Sequence, residues 1–498
     1  MMRPFFCLQV CYHAAIITTP ASNVPSILAL DQGTHASRAC LFNAAGDMLF
    51  THTENISLNR IDAHRVEQDP QQIIRSLQDC IAAAIEAADR FNSPIGCCGL
   101  AIQRSSVLAW RPQGEALSPV LSWQDTRGAS QLESLRHRKR HIQALTGLPL
   151  SPHYGASKLA WLRRQFATRN PLRLSPLVSH VLFHLLATSP YLCDPVNAQR
   201  TQLFALQQGD WSARLCDWFG VPQHLLPACR PVLRDYGQLR QAAIPLTAVS
   251  GDQNAALFGA GEPPADTALV NIGSGAFVLQ LLDDYQNSDK QLTGIACSDS
   301  RHIRYLREAT VNGAGNALQW LQQGETAIGL HEHLDGWLQQ TDPSLIFVNS
   351  IGGLGSPWWN NHIPPRFINL SPGGDKPAPL QQKAVALVES IVFMLHANLE
   401  IMQRQQAIAR LQVSGGLSQL DGLCQRLANL TGLAVERSTL TGATARGIAW
   451  LAAGRPGEWQ ETGRPQHFLP DADPGLHRRY RHFLTAIEGN GEAPLFVS

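Results

Sequence analysis

No two cysteines in this chain stand at Cys-x-x-Cys spacing, so the common zinc and thiol-redox signatures are absent. The 11 cysteines are scattered over 498 residues, an odd number that forms no framework and fits reduced thiols in the cytosol. Charge is also scarce. Charged residues make up 16% and the formal net charge is +1, which points to neither nucleic acid nor a membrane surface. No uninterrupted apolar run reaches the roughly 18 residues that span a bilayer. There is no Gly-x-x-x-x-Gly-Lys-Ser/Thr loop. Gly313-Ala314-Gly315-Asn316-Ala317-Leu318 lacks the third glycine of a dinucleotide fingerprint and shows no clear strand before it, which argues against a dehydrogenase.

What remains is a large packed protein. Apolar residues make up 44% of the chain, and its length calls for two domains of roughly 200 to 250 residues. Residues 1–26 read as an extension outside the fold, expected to be disordered. Arg3 precedes a mildly apolar stretch, but Gln9, His13 and two cysteines interrupt any signal sequence. Folding starts with a strand at Ile27–Leu30, a turn at Asp31-Gln32-Gly33-Thr34, and strands at Ser37–Phe42 and from Met48. Asp69-Pro70 opens a helix whose Ile73, Ile74, Leu77, Ile81 and Ile85 share one face, and a strand follows at Ile95–Ile102. The second half opens alike, with a strand at Thr267–Ile272, the turn Gly273-Ser274-Gly275 and a strand at Ala276–Leu282. This reads as an internal duplication, with a chance pairing of common turns as its competitor. The first domain is placed at 27–260 and the second at 261–487, with a loose tail from 488 to 498.

Glycine-hydroxyl turns between strands suit polyphosphate, because glycine lets backbone N–H groups approach the anion. Gly33 and Thr34 form one such turn, Gly273 and Ser274 the other. Asp31, at the strand end, suits a magnesium ion held through water. Gly415-Gly416 after a strand lets a base or ribose lie on the backbone. Each cluster alone reads as a plain turn; three together do not. Asp252, after the strand Leu246–Val249, is the candidate general base, with helix capping as the competing role. The basic run Arg136-His137-Arg138-Lys139-Arg140-His141 reads as a solvated helix face.

Several of these segments, taken in order, resemble the FGGY carbohydrate kinases, the glycerol kinase branch in particular. They are Asp31-Gln32-Gly33-Thr34 with Arg38, Gln103-Arg104, Trp123-Gln124-Asp125, Lys158-Leu159-Ala160-Trp161, Gly251-Asp252-Gln253, Gly273-Ser274-Gly275-Ala276-Phe277, Gly353-Leu354-Gly355-Ser356-Pro357-Trp358 and Ser414-Gly415-Gly416. The resemblance covers about residues 27 to 455. It implies an α/β fold of two ribonuclease-H-like, actin-type domains with ATP and substrate in the cleft between them. It implies Asp252 as base and Asp31 as the Mg²⁺ carboxylate. Arg104, Ser105, Trp123, His153, Gln253 and Phe277 fall at the acceptor side. Gly33, Thr34, His35, Arg38, Gly273, Ser274, Gly313, Gly415, Gly416 and Asp421 fall at the nucleotide side.

Two departures lie on the acceptor side. The branch has an acidic residue after the pocket arginine, where this chain has Ser105, and a tyrosine where it has His153. The expected activity is therefore phosphorylation of a small polyol or sugar for which glycerol is a poor substitute. The alternatives are glycerol phosphorylation itself and, from another class, an actin-like ATPase or a sugar sensor without turnover. The expected setting is the cytosol, with no nucleic-acid or membrane partner and with a homodimer or homotetramer left open.

Overall fold

The computed structural model describes residues 25–169, 171–324, 330–370, 378–457, 459 and 464–489. The extension up to residue 24 and the tail from 490 lie outside the described residues. Among those described, the first strand is Ser26–Gln32, and its apolar run is buried on both faces because it sits mid-sheet. It pairs antiparallel with Ala36–Phe42, which pairs with Met48–Asn55. On its other side it runs parallel to Ile95–Ile102, which runs parallel to Leu246–Gly251. The outer strand Met48–Asn55 alternates half-buried and exposed positions, as an edge should. The helix Pro70–Arg90 covers one face. Asp69 caps it by accepting from Gln71 N at 2.8 Å, and Ile73, Ile74, Leu77 and Ile81 are buried.

The second sheet repeats this plan. Thr267–Ile272 pairs antiparallel with Ala276–Leu282, and that with Ile303–Val311. On its other side Thr267–Ile272 runs parallel to Arg410–Ser414, and that strand to Ala434–Arg437. Leu292–Ser298 and Gln466–Phe468 extend the two edges to give seven strands. The shared strand order supports the duplication read from the two glycine-hydroxyl turns. Ile303–Val311 corrects one expectation, since a strand does precede Gly313. Arg304, Arg307 and Glu308 break its apolar pattern and hid it.

A further five-stranded sheet of short strands, among them Val66–Gln68, Val107–Trp110, Val120–Leu121 and Arg173–Pro176, grows out of the first domain. It carries the loops at 104–105 and 122–125. The helix Leu380–Gln405 is long and apolar enough, by length and composition, to cross a membrane, but 83% of its most apolar window is buried in the second core. The helix Ala443–Ala452 comes late in the chain yet packs into the first core, with Ile448, Ala449 and Leu451 buried there. Gly447 allows that approach: a Cβ on it would lie 1.9 Å from the carbonyl oxygen of Ala255. Arg446 Nε donates to Gly46 O at 3.1 Å and Trp459 Nε1 to Ala44 O at 2.8 Å, tying this segment to the first hairpin.

Candidate active site

A cavity of about 470 Å³ opens between the two domains, lined by Arg104, Trp123 and Asp252 from the first and by Phe277, Glu308 and Asn312 from the second. Asp252 stands where the strand Leu246–Gly251 passes into the short helix Asp252–Ala256. The cap position is Gly251, so Asp252 is not the capping residue; its Oδ1 accepts from the N–H of Gln253 at 2.7 Å. A Cβ at Gly251 would lie 2.6 Å from Arg104 Cδ, so the glycine lets the arginine reach the base. Arg104 Nε stands 3.6 Å from Asp252 Oδ1. Burial raises the Asp252 carboxyl above its ordinary range, against the opposing pull of Arg104, the Gln253 N–H and Arg200. Asp31 is the last residue but one of the first strand, 3.7 Å from Arg38. Burial pushes its carboxyl up to about 6, Arg38 opposes the rise, and the negative charge of Asp252 adds to it. Two carboxylates that disfavour each other's charge suit a divalent cation. Magnesium, which keeps most of its waters and takes one or two carboxylates plus phosphate, fits Asp31.

The acceptor wall centres on Arg104. Its Nη1 donates to Asn254 Oδ1 at 2.8 Å and to Glu308 Oε2 at 3.3 Å. Its Nη2 donates to Gln253 Oε1, which orients Gln253 beside the base. Arg200 donates to the same Glu308. Burial alone would raise Glu308, but Arg200 and Arg104 hold it down to about 2, so it stays ionised although only 1% exposed. Glu308 and Arg200 were missed in the sequence, as were Tyr154 and Trp359 of the same cavity. The only sequence signal for Glu308 is a lone acid in a strand that also carries Arg304 and Arg307.

Trp123 and His153 form the aromatic side, their ring centroids 5.5 Å apart, with Tyr154 5.0 Å beyond His153. The indole Nε1 of Trp123 donates to Thr34 Oγ1 at 3.0 Å, so the acceptor wall is bonded to the first glycine-hydroxyl turn. Lys158 is fully buried beneath this wall, and its Nζ donates to the carbonyls of Ser122 at 3.0 Å and His153 at 2.8 Å. Burial pushes Lys158 down to about 7. His153 is pushed down to about 3 by burial and then by Lys158, Arg200 and Arg104, which keeps its ring neutral.

Among the expected acceptor residues, Arg104, Ser105, Trp123, His153, Gln253 and Phe277 all line the cavity with Asp252. Of the expected nucleotide residues only Thr34 lines it. Gly33 N donates to Ala36 O at 2.8 Å and Gly273 N to Gly275 O at 2.9 Å, so the glycine N–H closes each turn, over three residues in the first and two in the second. Ser274 is exposed, and its carbonyl accepts from Ala314 N and Asn316 N, setting the second turn on the helix Gly315–Gly324. Gly313 is held by Asn349, whose Nδ2 donates to its carbonyl at 2.9 Å. Gly415 has φ of 93° and leaves no room for a Cβ, which would sit 2.6 Å from Ile272 O, whereas Gly416 faces open space. His35 is exposed, and Asp421 is paired with Arg437 at 2.8 Å. The basic run at 136–141 is mostly exposed, as a solvated face should be.

Residues 26–259 match the N-terminal domain, and residues 268–454 the C-terminal domain, of the FGGY family of carbohydrate kinases. A glycerol kinase of Citrifermentans bemidjiense is 32% identical over 86% of this chain and 89% of its own length. One of Roseobacter denitrificans is 29% identical over 93% of this chain and 98% of its own. Among solved structures, Plasmodium falciparum glycerol kinase with ADP superposes with a TM-score of 0.84 at 20% identity, covering 95% of this chain and 99% of that one. A xylulose kinase of Lactobacillus acidophilus gives 0.82 at 18% identity, covering 94% and 98%. At these identities the superpositions speak for the fold alone: two domains of the actin and hexokinase type.

Proposed function

The chain belongs to the FGGY family of carbohydrate kinases and is an ATP-dependent kinase of a small polyol or sugar, and we propose that Asp252 is its general base and Asp31 its magnesium-site carboxylate. The observation that carries the reading is the position of Asp252. Its carboxylate faces the interdomain cavity, its side chain is 32% exposed there, and Arg104 is its nearest cation. A carboxyl raised by burial is a stronger base than an ordinary aspartate and still accepts a proton at neutral pH. Asp252 takes the proton of the acceptor hydroxyl as its oxygen bonds to the γ-phosphorus, and the bond to the β-bridging oxygen breaks, releasing ADP. Magnesium at Asp31 would neutralise phosphate charge when bound. Arg104 and Gln253 orient the acceptor, while Trp123 and Phe277 give its carbon chain an apolar wall and exclude water.

The names of the relatives favour glycerol as acceptor, a second reading that Ser105 and His153 argue against. An actin-like ATPase or a sensor would need no base aimed at an acceptor. We place the enzyme in the cytosol, with oligomerisation as a dimer or tetramer open to test. The decisive experiment is ADP release with and without a panel of polyols and sugars. Acceptor-dependent ADP supports the kinase reading; ADP formation that no acceptor stimulates refutes it.

A further inference from the structure

Two cysteines stand opposite each other on neighbouring short strands. Leu192–Cys193 runs parallel to Ala228–Cys229, and Cys193 is the register partner of Cys229. The N–H of Arg230 donates to the carbonyl of Cys193 at 2.9 Å and that of Ala228 to Tyr191 at 3.1 Å, which fixes the register. Among the described residues no other strand register sets two cysteines side by side. Both thiols are free, and their sulfurs are in hydrogen-bond contact. Paired strands lie about 4.8 Å apart, inside the roughly 4.4 to 6.8 Å Cα separation that a disulfide bridges. Cys193 is fully buried. Cys229 is half-buried and borders a surface groove of about 510 Å³ with Trp211, His224 and Arg230, which gives a small reagent room to reach it.

The two strands lead to opposite supports of the active site. After Cys193, Asp194 caps the helix Pro195–Gln199, its carboxylate accepting from Asn197 N at 3.0 Å and from Asn197 Nδ2 at 2.7 Å. Arg200 follows that helix and donates to Glu308 of the acceptor wall. After Cys229 the chain reaches Val232, whose carbonyl accepts from Val249 N at 3.0 Å, in the strand that passes into Asp252. A covalent bond between the two strands therefore acts on the supports of Arg200 and of the base together. We propose that Cys229 is a site of reversible oxidation by the disulfide of a small thiol, that Cys193 converts the adduct into an internal Cys193–Cys229 disulfide, and that this bond slows acceptor phosphorylation. The Cys229 thiolate attacks one sulfur of the small disulfide, whose S–S bond breaks, and the departing thiolate takes up the proton that Cys229 gave up. The Cys193 sulfur then attacks the Cys229 sulfur and releases the second small thiol, which takes the Cys193 proton. Two protein thiols are oxidised and one small disulfide is reduced to two thiols. Burial and the hydrogen bond with Cys229 hold the proton on Cys193. Cys229 therefore reacts first, and Cys193 follows once its attack is intramolecular.

The test treats the reduced full chain with glutathione disulfide and reads mass and rate on the same sample. After alkylation and digestion, a peptide pair joined through Cys193 and Cys229 should appear. In parallel, kcat/KM for the acceptor should fall by about tenfold, as a small misplacement of positioning groups predicts, and dithiothreitol should restore it. Cys229→Ser should keep the parent rate and resist the oxidant. Cys193→Ala should stop at the mixed disulfide, with one glutathionyl group on Cys229. Cys216→Ser should behave as the parent, which separates Cys229 from the other cysteine of its tryptic peptide. Thiols at 193 and 229 that both stay open to alkylation at saturating glutathione disulfide overturn the site. A disulfide that forms with the rate unchanged overturns its effect on turnover. That effect rests on the kinase reading above, whereas the disulfide is read by mass. ADP release that no acceptor stimulates removes the kinase reading and the effect on rate, and the oxidation site then stands or falls on the mass alone.

Discussion

The indole of Trp123 and the hydroxyl of Thr34 are joined by a 3.0 Å hydrogen bond, which links the acceptor wall to the first glycine-hydroxyl turn. The hydroxyl expected to face phosphate is held by the residue expected to face the sugar. The two should therefore be coupled energetically. Trp123→Phe and Thr34→Val should each lower kcat, and the double variant should lose less than the sum, with a coupling of about 0.5 to 2 kcal/mol. A double-mutant cycle on kcat/KM for ATP and for the acceptor measures it; strict additivity would show that the bond has no part in turnover.

Asp252→Asn should reduce turnover by about 10² to 10⁴, the usual contribution of a general base. Asparagine keeps the shape, and Gly251 holds the cap position, so the local helix should survive. Nucleotide binding followed by calorimetry should change little. Turnover within a few fold of the parent enzyme would take Asp252 out of the mechanism. For the parent, activity should rise with pH on the acid limb at a pH above that of an ordinary aspartate, since the base must be ionised and burial raises it.

Asp31 should cost the fold stability where its carboxyl is ionised. The folded protein holds its proton up to about pH 6, against 3.8 for the ordinary carboxyl. This raised group contributes its stability fully below pH 3.8 and loses it as pH rises through 6. At pH 7.5 its charge should cost about 2 to 3 kcal/mol when no cation is bound. Asp31→Asn should thus stabilise the metal-free enzyme at pH 7.5, much less so at pH 4, while removing magnesium-dependent turnover. Urea melts at the two pH values test the first part and a magnesium titration of the rate tests the second. A variant destabilised at pH 7.5 would contradict the argument.

Lys158 holds both acceptor walls through the carbonyls of Ser122 and His153. It touches no reacting atom, so its role is positioning. Lys158→Met should raise KM for the acceptor by about tenfold with kcat changed less and KM for ATP unaffected, as loosened orientation predicts. Its folded pKa is lowered to about 7 from 10.5, so the parent enzyme should gain stability between those values as the buried ammonium loses its charge. The variant should lack that slope. Equal slopes in urea melts at pH 6.5 and 9.5 would show that Lys158 is not the group responsible.

The central strands, the capped helix at Pro70 and both glycine-hydroxyl turns were legible because their signals are local: an apolar run, a cap with proline behind it, a glycine between strands. Asp252 was legible as a strand-end acid beside the domain boundary. Glu308 was not. Its partners Arg104 and Arg200 lie in the other domain, and an acid in a strand reads as surface until the fold buries it. The short strands of the smaller sheet escaped for a related reason. Val120–Leu121 has two residues, too few to show an alternation, and its pairing is set by tertiary contacts. Thr34 was placed on the right turn, but its bond to Trp123 could not be read from either segment.

The helix Ala443–Ala452 fills a gap in the first core although the chain reaches it only after six of the seven strands of the second sheet. During synthesis the first domain therefore waits, the sheet face that carries Gly99 and Thr247 uncovered, until nearly the whole polypeptide has left the ribosome. At about 5 to 20 residues per second that exposure lasts for tens of seconds. The nascent chain should lean on chaperones in this interval, and a truncation before residue 443 should yield an aggregating fragment and not a free-standing half.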